Sequence, residues 1–399
     1  MKVVMSEWKK YKLKDFAVIN PTERLPKGTV AKKVAMEVIQ PFTKKIPSFS
    51  LEEYKGGVKF RNGDTIMARI TPSLENGKTS YVDILDDGEI GFGSTEFIVF
   101  REKENISDKH FIYYLVTSPI IRNTAIKSMT GSSGRQRVQT DVVKEHLFDA
   151  PPLPEQKAIA EVLSSLDDKI DLLHRQNKTL EQMAQTLFRQ WFVEEAKEDW
   201  EVGVLGDILT VKGGTTPSTK NHEFWNGEIH WTTPRDLSNN SGMYLLDTLR
   251  KITHKGLNKI GSGLLPKGTL LLSSRAPVGY LAFSEVPIAI NQGYIAIIDN
   301  KGFSKYWIYL WLKDNMDYVK SHANGSTFQE ISKTSFKALQ VIIPPQKILE
   351  DFEIIITNTF DKIKSNTHQI RTLEKLRDTL LPKLMSGEVR VRAKKFSTQ

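Results

Sequence analysis

The sequence predicts an α+β protein in which two mixed α/β domains, related by an internal repeat, are separated by two long helices that form an antiparallel coiled coil. Three observations predict this class. Landmark residues recur in the same order in both halves, each half begins with short strand-like runs, and each half ends in a long stretch without glycine. Two copies of one unit indicate a pseudo-two-fold molecule. The predicted domains are residues 1–150 and 199–343, and the helical spacers are 151–198 and 344–399.

Pairs of identical residues mark the repeat, and the separation within each pair drifts along the chain as loop insertions would cause. The pairs are Trp8 and Trp200, Leu13 and Leu205, Asp15 and Asp207, Gly63 and Gly268, Pro72 and Pro277, Gly131 and Gly325, Ser132 and Ser326, Pro154 and Pro344, and Gln156 and Gln346. Shared residues of this kind are expected to maintain the fold. Gly63 and Gly268, and Pro72 and Pro277, are predicted turns.

The first part of each half contains short apolar runs between glycine, proline and asparagine residues, a pattern typical of strands and turns. The predicted strands and helix are 65–70, 96–100 and 110–117 in the first half, and 269–272, 294–298 and 306–313 in the second. Each half therefore begins with a mixed α/β domain.

The second part of each half is predicted to be one long helix. Residues 155–193 and 346–385 contain no glycine, and Pro382 is their only interior proline. Prolines precede both stretches, and proline is favourable at a helix start because its missing N–H would be unpaired there. At 1.5 Å per residue, a helix of about 38 residues is about 57 Å long.

Apolar residues recur in these helices at alternating steps of three and four, the spacing of a coiled-coil seam. In an antiparallel pair, Gln176 and Asn366 would meet near mid-helix and set the register, because a slipped pairing would bury them without partners. Two alternatives stay open: each helix packs only on its own domain, or both amides face water. Asp167 and Asp168 are predicted to lie on a solvated face. The predicted seam is Ile159, Val162, Leu166, Leu173, Leu180, Met183 and Leu187 in the first helix, and Leu349, Phe352, Ile356, Ile363, Ile370 and Leu373 in the second.

Composition limits the class of function. The net charge of +9 and the pI near 9.3 are consistent with a polyanionic partner, although a basic protein without one stays an alternative. The absence of cysteine excludes disulfides, thiolate zinc sites and cysteine nucleophiles. No apolar run approaches about 18 residues, and the first residues do not resemble a signal peptide, so we expect a cytoplasmic protein that does not span a membrane.

Six short segments, in a fixed order, establish a family resemblance. They are 151–156 (PPLPEQ), 187–192 (LFRQWF), 213–218 (GGTTPS), 224–227 (FWNG), 231–237 (WTTPRDL) and 380–389 (LLPKLMSGEV). Together with the repeat, they resemble the specificity subunit of type I restriction–modification systems, and the resemblance covers nearly the whole chain. The first domain departs from the pattern, because residues 18–23 (VINPTE) lack the Gly-Gly pair, and we transfer no residue role to that segment.

The resemblance implies a non-catalytic DNA-recognition subunit that needs no cofactor and no metal. Two target-recognition domains would each read one half of a bipartite site in the major groove of double-stranded DNA. The paired helices would set the unread gap between the halves and dock two methyltransferase subunits. The assembly would also recruit the restriction and translocation subunits.

Candidate DNA contacts follow from comparing the two copies. Residues that both domains share cannot distinguish different half-sites, so they would maintain the fold or hold phosphates, whereas residues that differ at equivalent places would read bases. Arginine with guanine, glutamine with adenine and an apolar contact to the thymine methyl are the usual pairings. A solvated or loop-closing role is the alternative for each. The candidates are Arg69, Lys78, Arg135, Gln136 and Arg137 in the first domain, and Lys212, Thr215, Thr216, Lys220, Arg235, Arg275, Phe328 and Gln329 in the second.

Two other classes of function stay open. The chain has no G-x-G-x-x-G cofactor loop, no complete G-x-x-x-x-G-K-[ST] phosphate loop and no H-E-x-x-H metal spacing. An autonomous nuclease or methyltransferase nevertheless stays an alternative, because scattered carboxylates can converge in the folded chain. A two-headed scaffold that binds proteins or sugars is the third reading, and it requires no affinity for DNA.

Overall fold

The computed structural model describes residues 7–238, 240, 242–325 and 329–391. The chain forms two compact units, one made of Met1–Leu172 with Ile370–Gln399 and the other of Leu173–Gln369. Each unit therefore contains one α/β domain and a segment of each long helix. Within the described residues, none of the helices combines the length and the apolar character that crossing a membrane requires.

The first unit contains ten strands and four short helices among its described residues. The elements are β1 (Lys9–Lys12), α1 (Leu13–Phe16), β2 (Ala17–Ile19), β3 (Val30–Val34), β4 (Ser50–Glu53), β5 (Val58–Phe60), β6 (Thr65–Ala68), β7 (Thr79–Tyr81), β8 (Gly91–Gly93), β9 (Phe97–Glu102), α2 (Lys109–Thr117), α3 (Pro119–Lys127), α4 (Thr140–Lys144), β10 (Leu147–Ala150) and the start of the long helix α5 (Leu153–Arg189). One antiparallel sheet has the order β2-β9-β6-β7. The other has the order β4-β3-β8-β5 with β3 and β8 parallel, and β1 pairs with β10.

The second unit repeats this plan. Its elements are β11 (Glu201–Val204), α6 (Leu205–Ile208), β12 (Thr210–Lys212), β13 (Trp225–Thr232), α7 (Pro234–Ser238), β14 (Tyr244–Leu245), β15 (Arg250–Ile252), α8 (His254–Leu257), β16 (Leu270–Ser273), β17 (Leu281–Ser284), β18 (Ile288–Ile290), β19 (Tyr294–Asp299), α9 (Lys305–Asp314), α10 (Met316–Ser321), α11 (Lys333–Lys337), β20 (Gln340–Ile343) and the long helix α12 (Gln346–Ser386). The sheets are β12-β19-β16-β17-β14, β15-β13-β18 with β13 and β18 parallel, and β11-β20. The predicted repeat is confirmed at the level of sheet topology.

The shared turn residues adopt the same backbone in both domains. Gly63 and Gly268 have φ values of 92° and 90°, in the left-handed region that favours glycine, and each lies just before a central strand. The peptide bonds before Pro72 and Pro277 are both cis. The predicted turns are confirmed.

A short buried helix forms the centre of each domain. In α2 the Asp108 carboxylate accepts hydrogen bonds from the first backbone N–H groups, and in α9 the Ser304 hydroxyl does the same. Every residue from Phe111 to Val116, and every residue from Tyr306 to Leu312, is buried. A helix segment that is buried on all sides is stable only inside a core, and both segments lie in the cores of their domains.

Both long helices are confirmed, and within each unit their segments run antiparallel. In the first unit, Asp167 of α5 contacts Arg377 near the end of α12 at 2.9 Å. In the second unit, the ring of Phe188 near the end of α5 lies 6.5 Å from that of Phe352 near the start of α12. Early residues of one helix therefore meet late residues of the other. Helix α12 continues through Pro382 to Ser386.

The predicted seam is confirmed in α12 except at Leu373, which is half-buried, and it is partly wrong in α5. Leu349, Phe352, Ile356, Ile363 and Ile370 of α12 are buried. In α5, Met183 is 53% exposed and four other predicted seam residues are only half-buried; these are Val162, Leu166, Leu180 and Leu187. The buried apolar positions of α5 are instead Ala160, Leu163, Ile170, Ala184 and Phe188, together with the predicted Ile159 and Leu173.

The buried face of α5 has turned because the helix packs on its domain as well as on α12. Leu163 belongs to the core of the first domain, and Ala184 and Phe188 belong to the core of the second. A heptad pattern in one helix assumes that the helix has a single partner. A helix with 3.6 residues per turn that packs on two partners buries a wider face. Both arrangements are therefore present: α5 packs on the domain of each unit, and it also pairs with α12.

The mid-helix amides of the second unit are in contact, although the pairing differs in detail from the expectation. Asn366 is fully buried, and its Nδ2 donates to Asn177 Oδ1 at 2.9 Å and to Gln176 Oε1 at 3.4 Å. Gln176 itself is exposed. Asn177, one position further along α5, is therefore the closer partner of Asn366, consistent with the turned face of that helix.

The expected solvated face at Asp167 and Asp168 is wrong for Asp167. Its side chain is only 7% exposed and accepts hydrogen bonds from Tyr114 Oη at 2.6 Å and from Arg377 Nη1 at 2.9 Å. Asp168 is exposed, as expected. Asp167 thus joins the central helix of the first domain to both long helices.

Candidate nucleic-acid interface

The loop at residues 131–137 of the first domain is held through its backbone. Thr130 and Arg137 exchange backbone hydrogen bonds of 3.0 and 2.9 Å. Thr71 N donates to Gln136 O at 3.0 Å, and Gln136 N donates to Thr71 Oγ1 at 3.0 Å. Because backbone contacts fix the loop, its side chains are available for other partners. Arg135 is exposed and Gln136 is half-buried.

Arg137 already has an acidic partner. Its guanidinium donates from Nε and Nη2 to the Glu96 carboxylate at 2.7 to 3.1 Å. The hydrogen bond to Glu96 raises the pKa of Arg137. A base contact by Arg137 requires this pair to open, so the geometry favours the loop-closing alternative for Arg137 and leaves Arg135 as the more accessible donor.

Arg69 and Lys78 occupy half-buried positions beside the same sheet. Lys78 Nζ donates to Met36 O at 2.8 Å, which favours a structural role. The Arg69 Nε is buried, and within the described part of the chain it has no hydrogen-bond partner. Unpaired buried donors are rare in folded proteins, so Arg69 has unused capacity to bind an acceptor.

The equivalent loop of the second domain ends at Glu330. This residue exchanges backbone hydrogen bonds of 2.9 Å with Asn324 and forms a bridge with Arg275 just after β16. Arg275 Nη1 also lies 3.3 Å from Glu330 Oε2. The matching bridge in the first domain joins Ile70 and Arg137. Arg275 therefore corresponds to Ile70 and not to Arg69, and both domains place an arginine–glutamate pair at this loop.

The remaining candidates of this loop are Phe328 and Gln329. Gln329 is exposed. Phe328 lies outside the described residues, so its proposed contact to a thymine methyl stays a prediction. The two loops thus have equivalent places in the sheets and different side chains.

The segment after β12 contains the candidates Thr215 and Thr216. A side chain at Gly214 would place a Cβ only 1.9 Å from Ile290 O, so the close backbone approach requires glycine there. Thr215 Oγ1 donates to Lys259 O at 3.0 Å and accepts from Gly261 N at 3.3 Å. Thr216 Oγ1 donates to Gln292 Oε1 at 2.6 Å. The segment is rigid, and both threonines are exposed.

Gln292 was not among the residues that the sequence indicated. It is exposed, and its amide nitrogen stays available once Thr216 occupies its oxygen. Gln292 follows a buried strand by two positions, but its partner is 76 residues away. No local pattern relates the two, so a sequence reading had no signal to find the pair.

Three basic candidates of the second domain are exposed: Lys212, Lys220 and Arg235. Lys212 Nζ lies 3.5 Å from Ser262 O, at the limit of a hydrogen bond. Lys220 follows the Gly213–Gly214 segment, and Arg235 lies on α7. Within the described residues neither Lys220 nor Arg235 has an ion-pair partner, so their charges are available to phosphates. In the same part of the chain, no group of three or more His, Asp or Glu side chains is placed to hold a metal ion.

Comparisons with known proteins agree with this arrangement. The profile of a family described as type I restriction modification DNA specificity domain matches residues 5–182 and 197–375, once in each half. The MjaIX specificity subunit of a type I restriction enzyme from Methanocaldococcus jannaschii is 36% identical over 194 residues, which are 48% of this chain and 45% of that relative. The HindI specificity subunit from Haemophilus influenzae is 24% identical, over 96% of this chain and 100% of that relative. A solved S subunit of a type I restriction–modification system from M. genitalium is 19% identical, covers 96% of this chain and 98% of its own, and has a TM-score of 0.56, which shows the shared fold.

Proposed function

The chain belongs to the family of type I restriction modification DNA specificity domains, and on that premise we propose that it reads a bipartite double-stranded DNA site and directs partner enzymes to it. The main support is the duplication itself. One chain contains two domains of equivalent topology, whose loops at equivalent places present different side chains. Such a molecule recognises two different half-sites with one scaffold.

We assign recognition to residues 1–150 and 199–343, and partner docking to the helical spacers at 151–198 and 344–399. Each recognition domain reads its half-site from the major groove, with lysine and arginine side chains on phosphates and the variable loop residues on base edges. The spacers bind two methyltransferase subunits, and the assembly recruits the restriction and translocation subunits in the cytoplasm. The chain itself supplies recognition and no bond-making step.

The direct experiment is methylome sequencing of a host that expresses this chain with its cognate methyltransferase subunit. The matched host lacks only this chain. We expect a methylated bipartite motif that disappears without the chain, which also supplies both half-sites and the spacer length. The same methylation in both hosts, with both subunits soluble, would contradict the proposal. Binding of S-adenosylmethionine, or metal-dependent DNA cleavage, by the isolated chain would favour an autonomous enzyme instead.

A further inference from the structure

Arg250, at the start of β15, lies over a pair of tryptophans that contact each other edge to face. Its guanidinium carbon is 3.5 Å from the centre of the Trp225 ring and 5.7 Å from that of Trp231. The two rings meet edge to face at 5.0 Å, and both are buried, whereas Arg250 is exposed. Arginine is well suited to stacking on an aromatic face, and the stack restricts the orientation of the guanidinium plane.

The guanidinium of Arg250 has no hydrogen-bond acceptor among the residues that the structure describes. The contact with Trp225 occupies one side of the group, and its N–H donors are available to an acceptor from outside. Arg137 and Arg275, by contrast, are each held by a glutamate. Arg250 is thus an oriented donor fork without a partner, and this fork matches the O6 and N7 acceptors of guanine.

The same two tryptophans hold the segment that contains the recognition candidates. Trp225 Nε1 donates to Ser218 O at 3.0 Å, and Trp231 Nε1 donates to Thr215 O at 3.3 Å. The tryptophan pair therefore positions Arg250 and the backbone beside Thr215 together. A ligand that contacts one of them lies close to the other.

The first domain has a different residue at the equivalent place. In the second domain, Trp231 pairs with Arg250 on one side and with Ala289 on the parallel strand. In the first domain, Lys33 pairs with Ser50 on one side and with Phe92 on the parallel strand. Ser50 is therefore the counterpart of Arg250. A serine hydroxyl in place of an arginine fork is the kind of difference that distinguishes two half-sites.

We propose that Arg250 is a specificity-determining residue, which donates two hydrogen bonds to a guanine in the half-site that the second domain reads. This inference rests on the proposed DNA-recognition function and names one residue that performs it. Lysine and methionine differ from arginine in informative ways. Lysine keeps the charge without the planar fork, and methionine keeps a long side chain over Trp225 without any donor.

The test compares the methylation motif of the assembled methyltransferase complex for wild type, R250M, R250K and the control K251M. Lys251 is the next residue of the same strand, so its side chain points to the opposite face, and its replacement removes the same charge. We expect R250M to keep the bipartite motif, while its discrimination at one guanine of one half-site falls by about 5- to 150-fold. R250K should lose less discrimination at the same position. K251M should keep the wild-type motif.

Unchanged discrimination at every position in R250M, with a wild-type unfolding temperature, would overturn the inference. So would a uniform loss of methylation in R250M and R250K at all sites without a change in motif, because that result identifies a phosphate contact. If R250M fails to fold, R250K decides by the same two criteria. Failure of the proposed function is a distinct result, since the wild-type complex would then produce no bipartite motif.

Discussion

The ion pair between Asp167 and Arg377 should make a large contribution to the stability of the first unit. Their side chains are 7% and 12% exposed, and the Asp167 carboxylate also accepts the Tyr114 hydroxyl. Burial alone would lower the pKa of Arg377, but the charges and hydrogen bonds of Asp167 and Asp378 together outweigh it and raise that pKa. An arginine guanidinium stays protonated in proteins, so Asp167→Ala leaves a buried charge. Its remaining partners among the described residues are Asp378 and the Phe42 carbonyl.

Removal of one member of a buried ion pair costs about 3–5 kcal/mol of unfolding free energy. Because Arg377 retains two weaker partners, we expect the lower end, about 3 kcal/mol, for Asp167→Ala. A unit of this size loses roughly 2–4 °C of melting temperature per kcal/mol. The transition of the first unit should therefore fall by about 6–12 °C.

Differential scanning calorimetry of Asp167→Ala, Asp168→Ala and the double variant Asp167→Ala/Arg377→Met provides the measurement. The exposed Asp168 is the control, and its replacement should change stability by less than about 0.5 kcal/mol. The double variant should recover much of the loss, because it no longer buries an unpaired charge. A shift of under about 2 °C for Asp167→Ala, or a double variant less stable than the single one, would refute the reasoning.

Three further predictions concern the helix pair and the second unit. Asn366→Asp should destabilise the second unit by about 3 kcal/mol or more in urea unfolding, because it buries a charge. The control Gln176→Asp changes an exposed residue and should cost under about 0.5 kcal/mol. Similar losses in the two variants would contradict the assignment of Asn366 as the buried partner. Burial tends to raise the pKa of Glu285, but hydrogen bonds from Lys267, His368 and Lys364 outweigh it and lower that pKa. The stability from this group is fully present above pH 4.5, the ordinary pKa of glutamate, and is lost as the pH falls through the lowered value. Glu285→Gln should therefore reduce the fall in melting temperature on acidification below pH 4.5, and an unchanged profile would exclude this role. Deletion of residues 169–175 and 367–373 together shortens each helix by about 10 Å. The unread spacer between the two half-sites of the methylated motif should then shorten by about 3 base pairs. A spacer of wild-type length would show that the helices do not determine it.

Several features of the fold were predicted correctly from the sequence alone. Proline before each long stretch, and the absence of glycine within it, predicted helices whose observed bounds are Leu153–Arg189 and Gln346–Ser386. The repeat predicted two domains of one topology, and Gly63 and Gly268 predicted the turns. Each of these signals acts through the backbone preferences of neighbouring residues, which the order of residues alone determines.

Only the tertiary structure decided which side chains meet. The buried face of α5, the choice of Asn177 over Gln176 as the closer partner of Asn366, and the burial of Asp167 all depend on how a helix with two neighbours is oriented between them. The contact of Arg250 with Trp225 depends on the register of β13 and β15, which are separated along the chain by α7 and β14. Such contacts join residues tens to hundreds of positions apart, and many registers of the same strands and helices satisfy an apolar pattern equally well. The packed core selects one of them, because that arrangement fills its volume and pairs most of its buried polar groups.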